Sequence, residues 1–274
     1  MKNILVPTDF SDCSVEALKT AAQLAKKNDA TIHLLHMYER PAASMSWQLR
    51  LDNDQLKKHK QLVREELKKV EKASFLKGLK VKKHLAVGDQ LWEEVTRNNF
   101  KNIDLMVMGT NGKSSNSFWF IGSNTNKSIR VAKFPVLVVK NRIGLSSIKN
   151  IVFASNFDTD SIHGFEKIKA FTETFRAKLH LLKVITPINF EKSSYTYRIM
   201  DNFVTKQSLK NYTVNIYNSV SLEEGILEFI ASVEADMIVL ETYKRSGISR
   251  ALIGSTVEDI VVNSEIPVLT TPTE

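Results

Sequence analysis

An intrachain disulfide is excluded at the outset, because Cys13 is the chain's only cysteine. A lone thiol builds no cysteine metal cage and suits a reducing compartment. No apolar run approaches the roughly 20 residues that span a bilayer. The start, MKNILVPTDF, turns acidic too early for a signal peptide, so a cytoplasmic protein is expected. Proline and glycine are scarce, 6 and 10 in 274 residues, and no tract is of low complexity, which removes the compositional basis for disorder. Histidine offers no metal cluster: the 6 are scattered, and His33 and His36, three apart on an expected strand, face opposite ways. Two phosphate motifs are missing as well. Gly112-Lys113-Ser114 would end a P-loop only with a glycine five places before Gly112, where Val107 stands, and no G-x-G-x-x-G follows the first expected strand. No serine, histidine and acid form a recognisable nucleophilic set.

The chain does have length for two domains of roughly 130 to 140 residues, each able to bury a core; they are placed at 1–142 and 148–274. The formal charge of +8 is uneven, with 25 basic and 14 acidic residues up to position 148 and 13 and 16 after it. Much of the excess lies between Lys57 and Lys83, where lysines alternate with Glu65, Glu66 and Glu71 and with Leu62, Val63, Leu67 and Val70. This reads as one solvated helix face. Phe75 is the single Phe, Tyr or Trp among these lysines, too few to stack on bases, so no nucleic-acid surface is expected.

Self-similarity is the strongest signal. KNILVPTDF (2–10) recurs as KNIVFASNF (149–157) and TIHLLHM (31–37) as KLHLLKV (178–184), both offset by 147. Further on, DLMVM (104–108) meets DMIVL (236–240), and IGS (121–123) meets IGS (253–255), offset by 132, so the second copy is expected to lack 15 residues between its second and third strands. A domain has been duplicated. Strands are expected near 3–7, 31–37, 81–87, 103–108 and 135–139, helices near 12–28, 52–77, 90–100 and 124–132, and second-copy strands near 149–154, 178–184, 212–218, 236–240 and 267–270. Continuous apolar strands alternating with amphipathic helices indicate an α/β fold with a parallel sheet covered by helices. Ligands of such sheets bind beyond the carboxyl ends of the strands.

In the first copy the fourth strand is followed by Gly109-Thr110-Asn111-Gly112, then nine residues, then Gly122-Ser123-Asn124-Thr125 opening a helix. Glycines admit backbone N–H groups close to an oxyanion, and a helix N-terminus favours phosphate. Taken singly, Gly109 ends a strand and Ser123 caps a helix; as a set they point to phosphate. At the end of the first strand, Asp9 offers a carboxylate for ribose hydroxyls or a metal, with capping of the first helix by Asp9 or Ser11 as the plain alternative.

The run Ile4-Leu5-Val6-Pro7-Thr8-Asp9-Phe10-Ser11, the G-x2-G-x9-G-S pattern and the Pro135-Val136-Leu137-Val138-Val139 strand resemble the universal stress protein family. The duplication resembles its tandem subclass, and the glycine pattern is similar to that of ATP-binding members. The resemblance implies two tandem Rossmann-like domains of the adenine nucleotide alpha hydrolase-like type, each a five-stranded parallel sheet in order 3-2-1-4-5. It implies that the strands at 135–139 and 267–270 pair antiparallel, making an intramolecular pseudo-dimer, with a homodimer of chains as a further option. It also implies ATP, with Mg2+ as a companion, lying across the ends of strands one, two and four. Carried over residue by residue, Asp9 faces the ribose and the backbone near Met37 reads adenine. Pro7, Thr8 and Met108 line the nucleotide, and Gly109, Gly112, Gly122, Ser123, Asn124 and Thr125 cradle the phosphates. Asn124 stands where a small apolar residue is common, and Phe118-Trp119-Phe120 is bulkier than usual.

The second copy replaces Asp9 by Asn156, Gly109 by Glu241 and Gly112 by Lys244, while Gly254 and Ser255 persist and are expected to start a helix. A carboxylate at 241 repels phosphate and side chains there fill space that glycine leaves empty, so this copy is expected to hold no nucleotide. The function implied is an ATP-binding, nucleotide-responsive regulatory module in stress response. A slow ATPase or phosphotransferase, and a nucleotide-free structural stress protein, are the alternatives.

Overall fold

The computed structural model describes residues 1–38, 53–88, 90–96, 100, 102–110, 122–141, 143–243 and 248–273. Within them the first half runs β1 (Asn3–Pro7), α1 (Asp12–Asn28), β2 (Thr31–Tyr38), α2 (Asn53–Glu71), β3 (Lys80–Val87), α3 (Leu91–Thr96), β4 (Leu105–Gly109), α4 (Ser123–Val131) and β5 (Val136–Val139). The second runs β6 (Asn150–Ala154), α5 (Thr159–Glu173), β7 (Lys178–Ile185), α6 (Ser193–Gln207), β8 (Tyr212–Asn218), α7 (Leu222–Ser232), β9 (Met237–Tyr243), α8 (Ile248–Asn263) and β10 (Val268–Thr273).

All these strands form one sheet in the order β3-β2-β1-β4-β5-β10-β9-β6-β7-β8. Each half therefore has the order 3-2-1-4-5, parallel throughout. The halves meet where β5 and β10 run antiparallel, with Val138 opposite Val268, Leu137 opposite Leu269 and Val136 opposite Thr270. The central strands are apolar on both faces because both faces are covered: Ile4 and Val6 pack with Ala17, Ala21 and Ala25 of α1, while Leu5 packs with Met106 and Val136 on the other side. Small alanines let α1 lie close to the sheet. Its start is set by Ser11, whose hydroxyl accepts the Ser14 N–H at 3.3 Å.

The repeated Lys-Asn opening has a structural reason. The Asp104 carboxylate accepts the N–H groups of Lys2 and Asn3, and Asp236 accepts those of Lys149 and Asn150, so in each half the start of the fourth strand anchors the start of the first. Between the halves, Ile143, Leu145 and Ile148 are buried, and Gln23 of α1 brackets the segment by donating to the Ile143 carbonyl at 2.9 Å and accepting the Leu145 N–H at 3.3 Å. Arg130 of α4 pairs with Glu258 of α8 across the seam. None of the helices, among the described residues, is long and apolar enough to cross a membrane.

Three expectations need correction. The helix expected over 52–77 ends at Glu71 and gives way to a 3-10 turn, Ser74–Leu76, because Leu76 turns inward to the core. The deletion before the third strand is 16 residues, not 15: β2 sets Ile32 opposite Val81 and β7 sets Leu179 opposite Tyr212, an offset of 131 that becomes 132 only by β9. The matching stretches of sequence lie downstream of that one-residue return and hide it. Finally, β9 extends through Glu241 to Tyr243 by pairing with Thr271, Pro272 and Thr273 of a lengthened β10, and α8 begins at Ile248.

Candidate functional site

The register of β1 with β2 and β4 brings Pro7, Thr8 and Asp9 level with the carboxyl ends of the strands carrying Met37, Met108 and Gly109. The turn after β1 is held from both sides. Thr8 N–H donates to Leu35 O at 2.8 Å, and the Thr8 carbonyl accepts from His36 Nδ1 at 2.7 Å, which places a proton on that nitrogen. Phe10 stacks on the His36 ring at 4.6 Å and sits at φ 62°, a left-handed conformation uncommon for a bulky residue. The counterpart Phe157 repeats it at φ 58°. Asp9 Oδ1 accepts the Ser11 N–H at 3.0 Å and the Ser11 hydroxyl at 2.5 Å. Ser11 is thus the helix cap, and Asp9 is steadied by it.

Across the cleft mouth, Gly122 is the N-cap of α4 at φ −58°, ψ 141°, and supplies no side chain to cap it. Its N–H donates to Thr110 O at 2.8 Å, which ties together the two ends of segment 111–121. That segment, with Gly112, Lys113, Ser114 and Phe118-Trp119-Phe120, lies outside the described residues. The first N–H groups of α4 have no intrahelical partner and carry the positive end of the helix dipole, a setting that favours negative charge. The side chains around it are committed elsewhere: Thr125 donates to Gly109 O at 3.0 Å, and Asn124 Oδ1 accepts the Leu91 N–H at 3.2 Å, holding α3 to α4. Nothing is described of the Ser123 side chain.

Sequence reasoning missed Ser128. Its hydroxyl is fully buried on the inner stripe of α4 and has no hydrogen-bond partner among the described residues. The signal was a serine at the i+3 position from Thr125 beside Ile129, on the face that should be apolar. Glu94, buried in α3, was also missed, because acids in a first helical turn look like ordinary dipole partners.

The second half builds the same corner differently. Glu241 is 4% exposed, and its Oε2 accepts the hydroxyls of Ser155 at 2.6 Å and Ser161 at 2.8 Å. Gly164 makes room for it where the first half has Ala17: a Cβ there would come within 3.1 Å of Glu241 Oε1. Lys183, at the position of His36, donates to the Asn156 carbonyl at 3.0 Å and pairs with Glu191 at 2.8 Å. Gly254 and Ser255 do not start a helix, contrary to expectation, because they lie inside α8, whose start is seven residues N-terminal to the position matching that of α4. Their N–H groups are spent within the helix. Lys244 lies outside the described residues.

Comparison with known proteins agrees with this geometry. The sequence model of the Universal stress protein family matches residues 1–140 and again 147–272. A universal stress protein of Methanocaldococcus jannaschii is 37% identical over 144 residues, 51% of this chain and 82% of the relative. The crystal structure of a universal stress protein from Archaeoglobus fulgidus superposes with a TM-score of 0.75 over 99% of this chain and 96% of its own, at 20% identity. A putative universal stress protein from Pseudomonas aeruginosa gives a TM-score of 0.67 at 20% identity, covering 100% of this chain and 94% of its own.

Proposed function

This chain belongs to the universal stress protein family, in two consecutive copies, and we propose that its first copy binds ATP and acts as a nucleotide-responsive regulatory module in stress response. The observation that carries the reading is the start of α4 beside the Asp9 turn, where the N-cap Gly122 brings no side chain to its first N–H groups; farther along α4 the Ser128 hydroxyl is buried with no hydrogen-bond partner among the described residues. In this reading the backbone at Gly122, Ser123, Asn124 and Thr125 takes the phosphates and Gly112 lends its backbone. Asp9 takes the ribose, the Met37 backbone meets adenine, and Pro7, Thr8 and Met108 form the walls. Mg2+, if bound, would be held at the Asp9 carboxylate and would offset the phosphate charge. Regulation follows if ATP binds two states of the neighbouring loops with different affinity. The second copy, at 148–274, serves the first, at 1–142, as a fixed partner through β5 and β10.

Calorimetric titration tests this: we expect one ATP per chain, and two would overturn the assignment. Gly122→Asp should weaken binding by at least about tenfold, or about 1.4 kcal/mol. Aspartate is a favoured N-cap at this backbone geometry, so α4 survives while the carboxylate takes the donors from the phosphates.

A further inference from the structure

The second copy's cleft is not merely a damaged nucleotide site. We propose that it binds a small neutral molecule with an apolar ring or short branched chain and one hydrogen-bonding end. Its walls are Val184, Leu222, Ile226, Val257 and Ile260, with Asn156 and Glu241 at the polar end. The residues of the first copy matching Val257 and Ile260 are Thr125 and Ser128, so at these two positions the last helix has exchanged a hydroxyl for an aliphatic side chain, while Thr256 keeps one in the lining. Together with the absorption of the helix start into α8, this leaves the cleft without the backbone donors of a helix start, and the Glu241 carboxylate opposes an anion directly. A cation is disfavoured by the aliphatic walls, which would strip its water, and Glu241 Oε2 already accepts two hydroxyls. A neutral, largely apolar occupant remains.

Size narrows the class. The cavity holds about 60 Å³ of water-accessible space, room for about four to six water-sized groups at roughly 10–15 Å³ each. That is a six-membered ring or a branched chain of similar bulk. The loops after β7 and β8 also carry exposed apolar side chains. Ile188, Phe190 and Val220 are 95%, 79% and 76% exposed on the loops that leave β7 and β8. Asn189 fixes the first loop to the wall strand by donating to Val184 O at 3.3 Å while accepting the Thr186 hydroxyl at 2.7 Å.

The probe is benzyl alcohol, with benzoate and benzylammonium as charged counterparts, followed on the intact chain by saturation-transfer NMR. We expect saturable binding of the alcohol, at least about tenfold weaker binding of both ions, and no displacement of the alcohol by ATP. Ile226→Trp fills the cleft and should abolish binding. Val257→Thr with Ile260→Ser gives the wall the first copy's polarity at smaller volume, and should weaken the alcohol by about tenfold; it decides the matter if Ile226→Trp fails to fold. The proposal is overturned by absence of saturable binding, by equal binding of the ions, by displacement with ATP, or by undiminished binding in the double variant.

Discussion

At position 109 a methyl group would lie 2.9 Å from the Cys13 Cβ and 3.0 Å from the Cys13 backbone. Gly109 is therefore needed by the approach of α1, whatever else its backbone does. Gly109→Ala should cost about 1–3 kcal/mol through overpacking, read as a lower urea midpoint; an unchanged midpoint would mean that α1 moves freely. The second half accommodates a larger side chain at this position by giving up a methyl on α5, Gly164 for Ala17, and by turning two serine hydroxyls onto Glu241. Histidines set a second residue-scale behaviour. His33 Nδ1 lies 3.1 Å from His84 Nε2, and burial, then the neighbouring His84 and Lys82, hold His33 below the usual histidine range. Burial and Lys82 lower His84, and burial and Lys178 lower His180. The unfolded chain then binds more protons in the window below the ordinary value of 6.5, so stability is fully present above it and declines as pH falls towards the folded values. Unfolding midpoints at pH 7.5 and 5.5, both about one unit from that value, should differ in this direction, and His84→Gln should flatten the difference.

Elements, more than single residues, separate the two sites. In the first half β4 stops at Gly109 and α4 starts at Ser123, with 110–122 between them; in the second, β9 runs on to Tyr243 and α8 begins at Ile248. The glycines at 109 and 112 have become Glu241 and Lys244, which carry no such freedom and permit the strand to continue. Neither Asn156→Asp nor Glu241→Gly, nor the two together, should therefore restore ATP binding, because the phosphate donors are internal to α8. Titration of these variants in a Gly122→Asp background checks this, and appearance of a second ATP site would refute it. The IGS match at 121–123 and 253–255 misleads here. It reports alignment, whereas a helix start depends on whether the preceding residues can themselves be helical.

Across the whole molecule, the seam between β5 and β10 converts two sheet edges into an interior. Val136, Leu137, Val138 and Val139 are all buried by it and by the covering helices. Residues 1–142 produced alone would expose that edge, and an unpaired apolar edge recruits another strand. Sedimentation should find this fragment self-associated; a monomer at high concentration would mean that the second half does not serve as the edge partner. The duplication, the alternation of strand and helix, the strand order and the Ser11 cap of the first helix were legible in the sequence. These depend on short-range propensity and on patterns that repeat within the chain. The tertiary structure alone decided that Ser128 is buried without a partner among the described residues, that Gly109 answers to Cys13, that Glu241 folds beneath α5, and that the second cleft is walled by aliphatic side chains. Each of these joins residues far apart in the chain, and a side chain's cost or use is set by which distant groups the packed sheet and helices bring against it.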